Sequence, residues 1–342
     1  MIDTNKRILF ICKKRIDSYG ISFGLLNSAS FIANALKEKG FDTKVVCVFD
    51  GNCIEREVFS YKPAYVIIHA LWVIPSKIKT LIEKYKETKW IIRIHSQLPF
   101  IANEGIAFDW INKLNDLSSC YENILISGNN KVFSEDLNKL NVKNVYLPNI
   151  YHPSDELPDV KYIKRDDGYI DIGCFGALRP MKNHLIQAVA AIDFANKNKK
   201  KLKFHINGDR IEQHGDQPLK NIRAVFENSY HELIEHEWMT HLEFISLIKT
   251  MDIGMQVSFS ESFNIVAADF VNNKIPIVVS DEINWLPYFT KAKTTSTHSI
   301  TRKLNFNYHL NNIMFDLIAF LNKIKLKKYN SEAIKTWLEF LK

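Results

Sequence analysis

Met255–Asp281, MQVSFSESFNIVAADFVNNKIPIVVSD, decides the fold. Gln256–Phe259 is short and partly apolar, the pattern of a strand ending at the edge of a parallel sheet. Ser258, Ser260, Glu261 and Ser262 break the apolar run and supply capping chemistry for a helix expected over Phe263–Val271. Ile275–Val279 is rich in β-branched residues and reads as the next buried strand. A strand that opens into a helix places backbone N–H groups and the positive helix end at the carboxyl edge of the sheet. Glu261 falls in the turn and Asp269 eight residues on, about two helical turns, so both are expected on one side.

Moving outward, the same unit recurs. Tyr169–Phe175 reads as a strand, Gly176–Asn183 as a glycine-led basic turn and His184–Asn196 as a helix. Lys201–Asn207 is another strand, followed by Gly208–Asp209–Arg210, and His241–Thr250 a helix leading into the opening stretch. His231–His236, HELIEH, suggests zinc only superficially: its two histidines are five apart, about 140° around a helix, and do not match His-Glu-x-x-His. It reads as a surface or strand segment, and no metal is expected. No strand ends in Asp-x-Asp, which argues against a metal-held diphosphate.

These segments resemble the family-4 retaining glycosyltransferases of the GT-B fold. Glu261–Val266 with Asp269 is similar to that family's acidic motif, in which the first acid faces the donor sugar and the second binds the nucleotide ribose. The resemblance puts these roles on Glu261 and Asp269, the latter an Asp where the family has Glu. Gly176–Asn183 resembles the family's Gly-Arg-Leu-x3-Lys turn, whose cations grip the donor diphosphate. Lys182 matches in place; the Arg position holds Ala177, and Arg179 lies two residues later. Cations there stabilise the charge that grows on a leaving diphosphate. Gly208 corresponds to the family's glycine turn beside the nucleotide. The resemblance further implies that the N–H groups of Phe263, Asn264 and Ile265, next to Ser262, hold sugar hydroxyls. It implies too that a donor phosphate oxygen, rather than an enzyme base, takes the acceptor proton.

The first half repeats the pattern more loosely. Arg7–Cys12 is a strand, Lys13–Gly24 a polar loop with Gly20 and Gly24, and Leu25, Ala29, Ile32 and Leu36 recur at helical spacing up to Gly40. The loop lacks Gly-x-Gly-x-x-Gly. It is either a plain tight turn or a place where Gly20 and Gly24 let backbone amides approach a diphosphate. Lys44–Phe49, Ala64–His69, Trp90–His95, Glu122–Ser127 and Asn144–Leu147 are further strands, with a helix over Asn129–Leu140. Ile78, Leu81, Ile82 and Tyr85 form one apolar helical face ringed by Lys77, Lys79, Lys84, Lys86 and Lys89. The family carries a histidine near the donor sugar at the end of the strand that here ends in His95, and Glu104 follows in a polar, glycine-ended loop on the acceptor side. The block from Ala70 to Glu104 also resembles bacteriophage-encoded glycosyltransferases. Leu147–Pro148–Asn149 resembles the family's linker, and Tyr151–Asp167 has loop composition.

The expectation is therefore an α/β chain of GT-B type, two Rossmann-like domains facing an interdomain cleft. The first, 1–150, takes the acceptor; the second, 151–325, takes the nucleotide sugar. Asn311–Lys325 and Glu332–Leu341 are expected as terminal helices, with 326–342 crossing back to the first domain. The donor is expected to be a UDP-sugar, with no further cofactor. Five scattered cysteines without Cys-x-x-Cys fit a reducing compartment, and no apolar run reaches the roughly 20 residues of a membrane span. The opening residues lack a cleavage site of the signal-peptide type, so the cytoplasm is the expected location. Net charge is +7, with 20 Lys and Arg against 15 Asp and Glu in residues 1–150. That bias, with Lys79 and Lys86 on the basic face, makes a hydroxymethylated base in phage DNA the first acceptor expected. A cell-surface glycan or lipid is the second, and a non-catalytic sugar- or nucleotide-binding protein is the reading outside enzymes. Nothing in the chain specifies an oligomeric state.

Overall fold

The computed structural model describes residues 6–14, 23–153, 168–313 and 317–342. Gly20 and most of the expected polar segment after Tyr151 lie outside the described residues. The chain forms two compact units, Met1–Pro153 with Asn330–Lys342, and Ser154–Tyr329.

In the first unit, β1 (Arg7–Lys13), α1 (Phe23–Glu38), β2 (Asp42–Val48), α2 (Ile54–Tyr61), β3 (Tyr65–His69) and α3 (Pro75–Lys84) alternate. They continue as β4 (Lys89–Ile94), α4 (Leu98–Ile101), α5 (Ala107–Cys120), β5 (Ile124–Gly128), α6 (Lys131–Lys139) and β6 (Asn144–Tyr146). The sheet is parallel, in the order β2-β1-β3-β4-β5-β6. One face of its strands, including Leu9, Ile11, Val66, Ile68 and Trp90, is sealed by Ile78, Leu81 and Ile111 from the helices. The apolar face read at Ile78, Leu81 and Ile82 is buried as the spacing requires.

The second unit runs β7 (Tyr169–Gly173), α7 (His184–Lys197), β8 (Lys201–Asn207), α8 (Asp216–Glu227), β9 (Glu232–His236) and α9 (His241–Ile248). It continues with β10 (Ile253–Gln256), α10 (Ile265–Asn272), β11 (Ile277–Val279), α11 (Thr297–Ile313) and the start of α12 (Leu317–Phe340). This sheet is also parallel, ordered β11-β10-β7-β8-β9. The chain leaves β7 in one direction toward β8 and β9, then returns to build β10 and β11 on the other side. The order reverses between β7 and β10. At such a switch point the loops leaving the two carboxyl ends diverge to opposite faces and leave a crevice.

Asn330–Lys342, the end of α12, belongs to the first unit. Trp337 is fully buried there, donating its indole N–H to Pro148 O at 2.8 Å. Asn330 bonds both backbone atoms of Tyr151, at 3.0 and 2.8 Å.

Several boundaries differ from the sequence reading. β10 stops at Gln256, because Val257 N–H turns to Gln187 Oε1 and Phe259 N–H to Met181 O, both outside the sheet ladder. α10 begins at Ile265 rather than Phe263, since Asn264 has φ +65° and caps the helix by accepting from Ala267 N–H. Glu261 therefore sits in a non-helical turn, and the expected shared helix face with Asp269 does not form. Gly24 lies inside the first turn of α1 rather than in a loop. The terminal helices are divided differently from the expectation: α11 spans Thr297–Ile313, and most of both expected helices lies in one continuous helix, α12, Leu317–Phe340.

Candidate functional site

The glycine-led turn after β7 and the acidic turn after β10 meet at the switch point of the second unit. Gly176 has φ +120°, a conformation glycine adopts readily, and its N–H donates to Asn207 Oδ1 at 2.9 Å. Leu178 N–H bonds Arg210 O and Glu212 N–H bonds Leu178 O, at 2.8 and 2.9 Å, which zips this turn to the segment after β8. Pro180–Lys182 is one turn of 3-10 helix, ended by Asn183 at φ 58°. The Asn183 amide donates to Val257 O and Thr294 O, and Gln187 reaches Lys182 O and Val257 N–H. Two neutral amides thus tie the basic turn to the strand end that carries Glu261.

Across that joint Lys182 Nζ donates to Glu261 Oε1. The side chains are 12% and 8% exposed, so this ion pair is largely removed from water. Arg179 lies 3.7 Å from Glu212, which also accepts two bonds from Arg210 at 3.0 and 2.7 Å. Arg210 in turn stacks on Trp238 at 4.2 Å. Two guanidiniums around one carboxylate leave a net positive charge beside the turn. Its influence shows at His184, the first residue of α7, whose pKa is pushed down to about 3 by burial and by the charges of Lys182 and Arg179.

The acidic turn is anchored from below. Phe263 is buried, stacks on Trp285 and Tyr329 at 5.5 and 5.1 Å, and accepts the Trp285 indole N–H at 2.8 Å. Asn264 donates to Gln256 Oε1 and Gln256 donates to Phe175 O, both at 2.8 Å, linking this turn to the end of β7. The next helix lies close on the sheet because Phe270 packs on Gly173 and Gly254; a Cβ at either would sit 2.9 or 2.7 Å from its ring. One residue before Phe270, Asp269 is buried and accepts from His241 Nε2–H at 2.8 Å. His241 is held at the start of α9 by a capping box between Thr240 and Glu243. Burial pulls the His241 pKa down, but the hydrogen bond and charge of Asp269 outweigh it, and the net shift is upward. Glu282 is raised, first by burial and also by the charge of Glu261, against the hydrogen bond it accepts from the Glu261 N–H.

The structure therefore brings Lys182, Glu261 and Gly176 together, puts Arg179 with Glu212 and Arg210, and pairs Asp269 with His241. Ser262 is partly exposed beside Glu261. Gly208 has a local reason to be glycine, since a Cβ there would overlap Glu235, itself gripped by Arg223 through two bonds of 2.7 Å. Arg210, Glu212 and His241 were not singled out by spacing. The motif Gly208–Asp209–Arg210 marked their neighbourhood without giving the partners.

In the first unit His95 ends β4 within a polar network. Buried Arg93 donates to Leu147 O, Asn149 Oδ1 and His95 Nε2, the last at 2.9 Å. A guanidinium only donates, so His95 Nε2 accepts from Arg93, and the Asn129 side-chain amide lies 3.2 Å from Nδ1. His69 Nδ1, 3.0 Å away, shares the same Nε2 acceptor. Burial and the Arg93 charge hold both imidazoles far below their usual pKa, and both are neutral. The ring nitrogens of His95 are thus engaged inside the unit. Glu104 is partly buried beyond α4, and its N–H bonds Ile101 O. Gly24 is exposed. Lys79 lies 3.9 Å from Glu83, Lys84 pairs with Glu55, and Lys86 is exposed. Among the described residues no three His, Cys, Asp or Glu side chains could share a metal, and no helix is long and apolar enough to cross a membrane.

No family model matches the chain, and no curated protein matches it. Solved structures do. A UDP-forming α,α-trehalose-phosphate synthase from Burkholderia xenovorans is 12% identical at a TM-score of 0.65, covering 98% of each chain. The N-terminal domain of trehalose-6-phosphate phosphatase from Candida albicans is 10% identical at 0.70, covering 98% of this chain and 96% of that one. Sucrose-phosphate synthase from Thermosynechococcus elongatus is 10% identical at 0.67, covering 98% of each. At such identities the likeness is one of architecture, and it agrees with the two parallel sheets and their strand orders: the chain has the GT-B fold.

Proposed function

We propose that the protein is a glycosyltransferase that moves a sugar from a nucleotide-diphosphate sugar, a UDP-sugar, to an acceptor hydroxyl with retention. The observation that carries the proposal is the buried Lys182–Glu261 pair, which joins a phosphate-binding type of turn to an acidic turn at the switch point of the second sheet. The UDP donor is supported by the UDP-forming synthase among the proteins of like fold.

In this reading Lys182 and Arg179 face the donor diphosphate and Asp269 the ribose. Glu261 and the N–H groups of Phe263, Asn264 and Ile265 take the sugar hydroxyls. As the glycosidic bond lengthens, negative charge grows on the departing phosphate, and Lys182 exchanges Glu261 for it. The cation then stabilises the transition state more than the ground state. A donor phosphate oxygen accepts the acceptor proton. In the same reading His95, held by Arg93, supports the strand end on the sugar side, and Glu104 is assigned to the acceptor side.

Two acceptor classes compete. Phage DNA carrying a hydroxymethylated base rests on the charge bias of residues 1–150. A glycan or lipid hydroxyl is favoured by the ion pairs Lys79–Glu83 and Lys84–Glu55, which neutralise part of the basic face. The deciding experiment offers labelled UDP-sugars with hydroxymethylated DNA or with glycan and lipid acceptors, between about 50 and 200 mM salt. Transfer to DNA that falls steeply with salt and with Lys79→Glu and Lys86→Glu supports the first class. Transfer only to glycan or lipid supports the second. No donor hydrolysis and no transfer with any nucleotide sugar overturns the enzymatic reading and leaves a binding protein.

A further inference from the structure

We propose that Cys12 and Cys47 form an oxidisable dithiol, a modification site at which a peroxide closes a disulfide between β1 and β2. The two are register partners on adjacent parallel strands. Neighbouring strands lie about 4.7–4.9 Å apart, inside the Cα separation of roughly 4.4–6.8 Å that a disulfide spans. Both sulfurs face the same helix. Thr43 donates to Ala33 O of α1, and the two-residue period of the strand puts Cys47 on that face as well. Cys12 Sγ lies 3.9 Å from Leu25 O, in the first turns of α1. No other two cysteines are partners on paired strands among the described residues.

The thiols differ in the way a dithiol site requires. Cys47 is partly exposed and Cys12 is buried. The neighbouring Cys12 thiol, against burial and with help from Lys14, lowers the Cys47 pKa to about 7. The same contact, with burial, pushes Cys12 far up and keeps it protonated. Cys47 is then the attacking thiolate and Cys12 the resolving thiol. The Cys47 thiolate attacks one oxygen of hydrogen peroxide, giving Cys47 sulfenic acid and hydroxide. The Cys12 sulfur displaces the sulfenic oxygen, forming the S–S bond as that oxygen, with its own hydrogen and the Cys12 proton, leaves as water; the hydroxide takes the proton that Cys47 had lost. Two thiols lose two electrons and one peroxide becomes two waters. β2 is the edge strand, paired only with β1, so only one strand pairing constrains its adjustment as the bond forms.

The test is made on the full chain at pH 7.5 with hydrogen peroxide, quenching with N-ethylmaleimide, proteolysis and mass spectrometry. The expected product is a Cys12–Cys47 cross-linked peptide, with two fewer titratable thiols than the five of the reduced, denatured chain. Cys120→Ser should leave the cross-link intact. Cys47→Ser, a change at a partly exposed edge position, should abolish it, and in Cys12→Ala dimedone should trap Cys47 as the sulfenic acid. Phenylarsine oxide, which bridges close thiol pairs, should protect Cys12 and Cys47 together from alkylation. Oxidation confined to the exposed Cys120, or over-oxidised Cys47 beside a freely alkylated Cys12, would overturn the proposal.

Discussion

Replacing Glu261 by Gln removes one charge from an ion pair whose side chains are 8% and 12% exposed, and leaves Lys182 without its carboxylate. Breaking a buried pair from one side costs about 3–5 kcal/mol, because the remaining charge is desolvated without compensation. The amide still accepts a hydrogen bond from Lys182, so the lower end, about 3 kcal/mol, is expected. For a unit of this size that is roughly 6–12 °C in melting temperature. A diphosphate would then meet a lysine with no carboxylate competing for it. Uridine diphosphate should bind the Glu261→Gln protein about tenfold more tightly than wild type, a gain of about 1.4 kcal/mol, while turnover of the UDP-sugar falls. Differential scanning fluorimetry and titration calorimetry read both quantities. Adding Lys182→Met to Glu261→Gln should restore part of the lost stability, since the stranded charge is gone. A melting shift below about 2 °C, with unchanged affinity for uridine diphosphate, would refute the reasoning and show the pair to behave like a solvated surface contact.

Lys182→Ala should lower turnover at saturating donor by about 10²–10³, the effect of removing one transition-state donor, and near-normal turnover would exclude it from the chemistry. Asp269→Asn should weaken free uridine diphosphate as well as the UDP-sugar, and calorimetry giving equal affinities would remove Asp269 from the ribose. The His241–Asp269 contact predicts a pH dependence. The folded pKa of His241 is raised, so its contribution is full below the unfolded value of about 6.5 and is lost as pH rises through the folded value. The stability gap between wild type and His241→Gln should thus shrink as pH rises above about 6.5, and a gap that widens would reverse the assignment. His69, His95, His184 and His236 have lowered pKa values, the last at about 4, chiefly through burial. The unfolded chain alone takes up their protons below pH 6.5, and each should cost up to about 1.4 kcal/mol per pH unit on acidification. Urea titrations from pH 7 to 5 measure that slope.

Much of the fold is legible in the sequence. The strands read at Ala64–His69, Trp90–His95, Tyr169–Phe175 and Lys201–Asn207 fall on β3, β4, β7 and β8, where closely spaced apolar residues such as Val66–Ile68, Ile91–Ile92, Ile170 and Ile172, and Leu202, Phe204 and Ile206 are buried. Ends were less legible. Gln256–Phe259 stays partly apolar after the backbone has left the ladder, since its amides find Gln187 and Met181, partners that local composition does not reveal. The same limit applied to the site. Glu261, Asp269 and Lys182 stand out by residue type and by the turns they occupy. The pairing of Glu261 with Lys182 across 79 positions, and of Asp269 with His241 across 28, depends on which strands become neighbours. Spacing along the chain carries no record of that.

The placement of Trp337 has a consequence for how the protein is made. The first unit holds residues from both ends of the chain, and those between belong to the second. Trp337 is fully buried against Phe10 and Arg93, and its loss to alanine should cost about 3–5 kcal/mol. During synthesis the ribosome delivers Met1–Pro153 first, but the tryptophan that fills this space arrives only after the entire second unit has been translated. The nascent first unit therefore waits with an open apolar seat, and the second unit has all of its own residues before the first one does. Folding completes in the reverse of the order in which the units are begun.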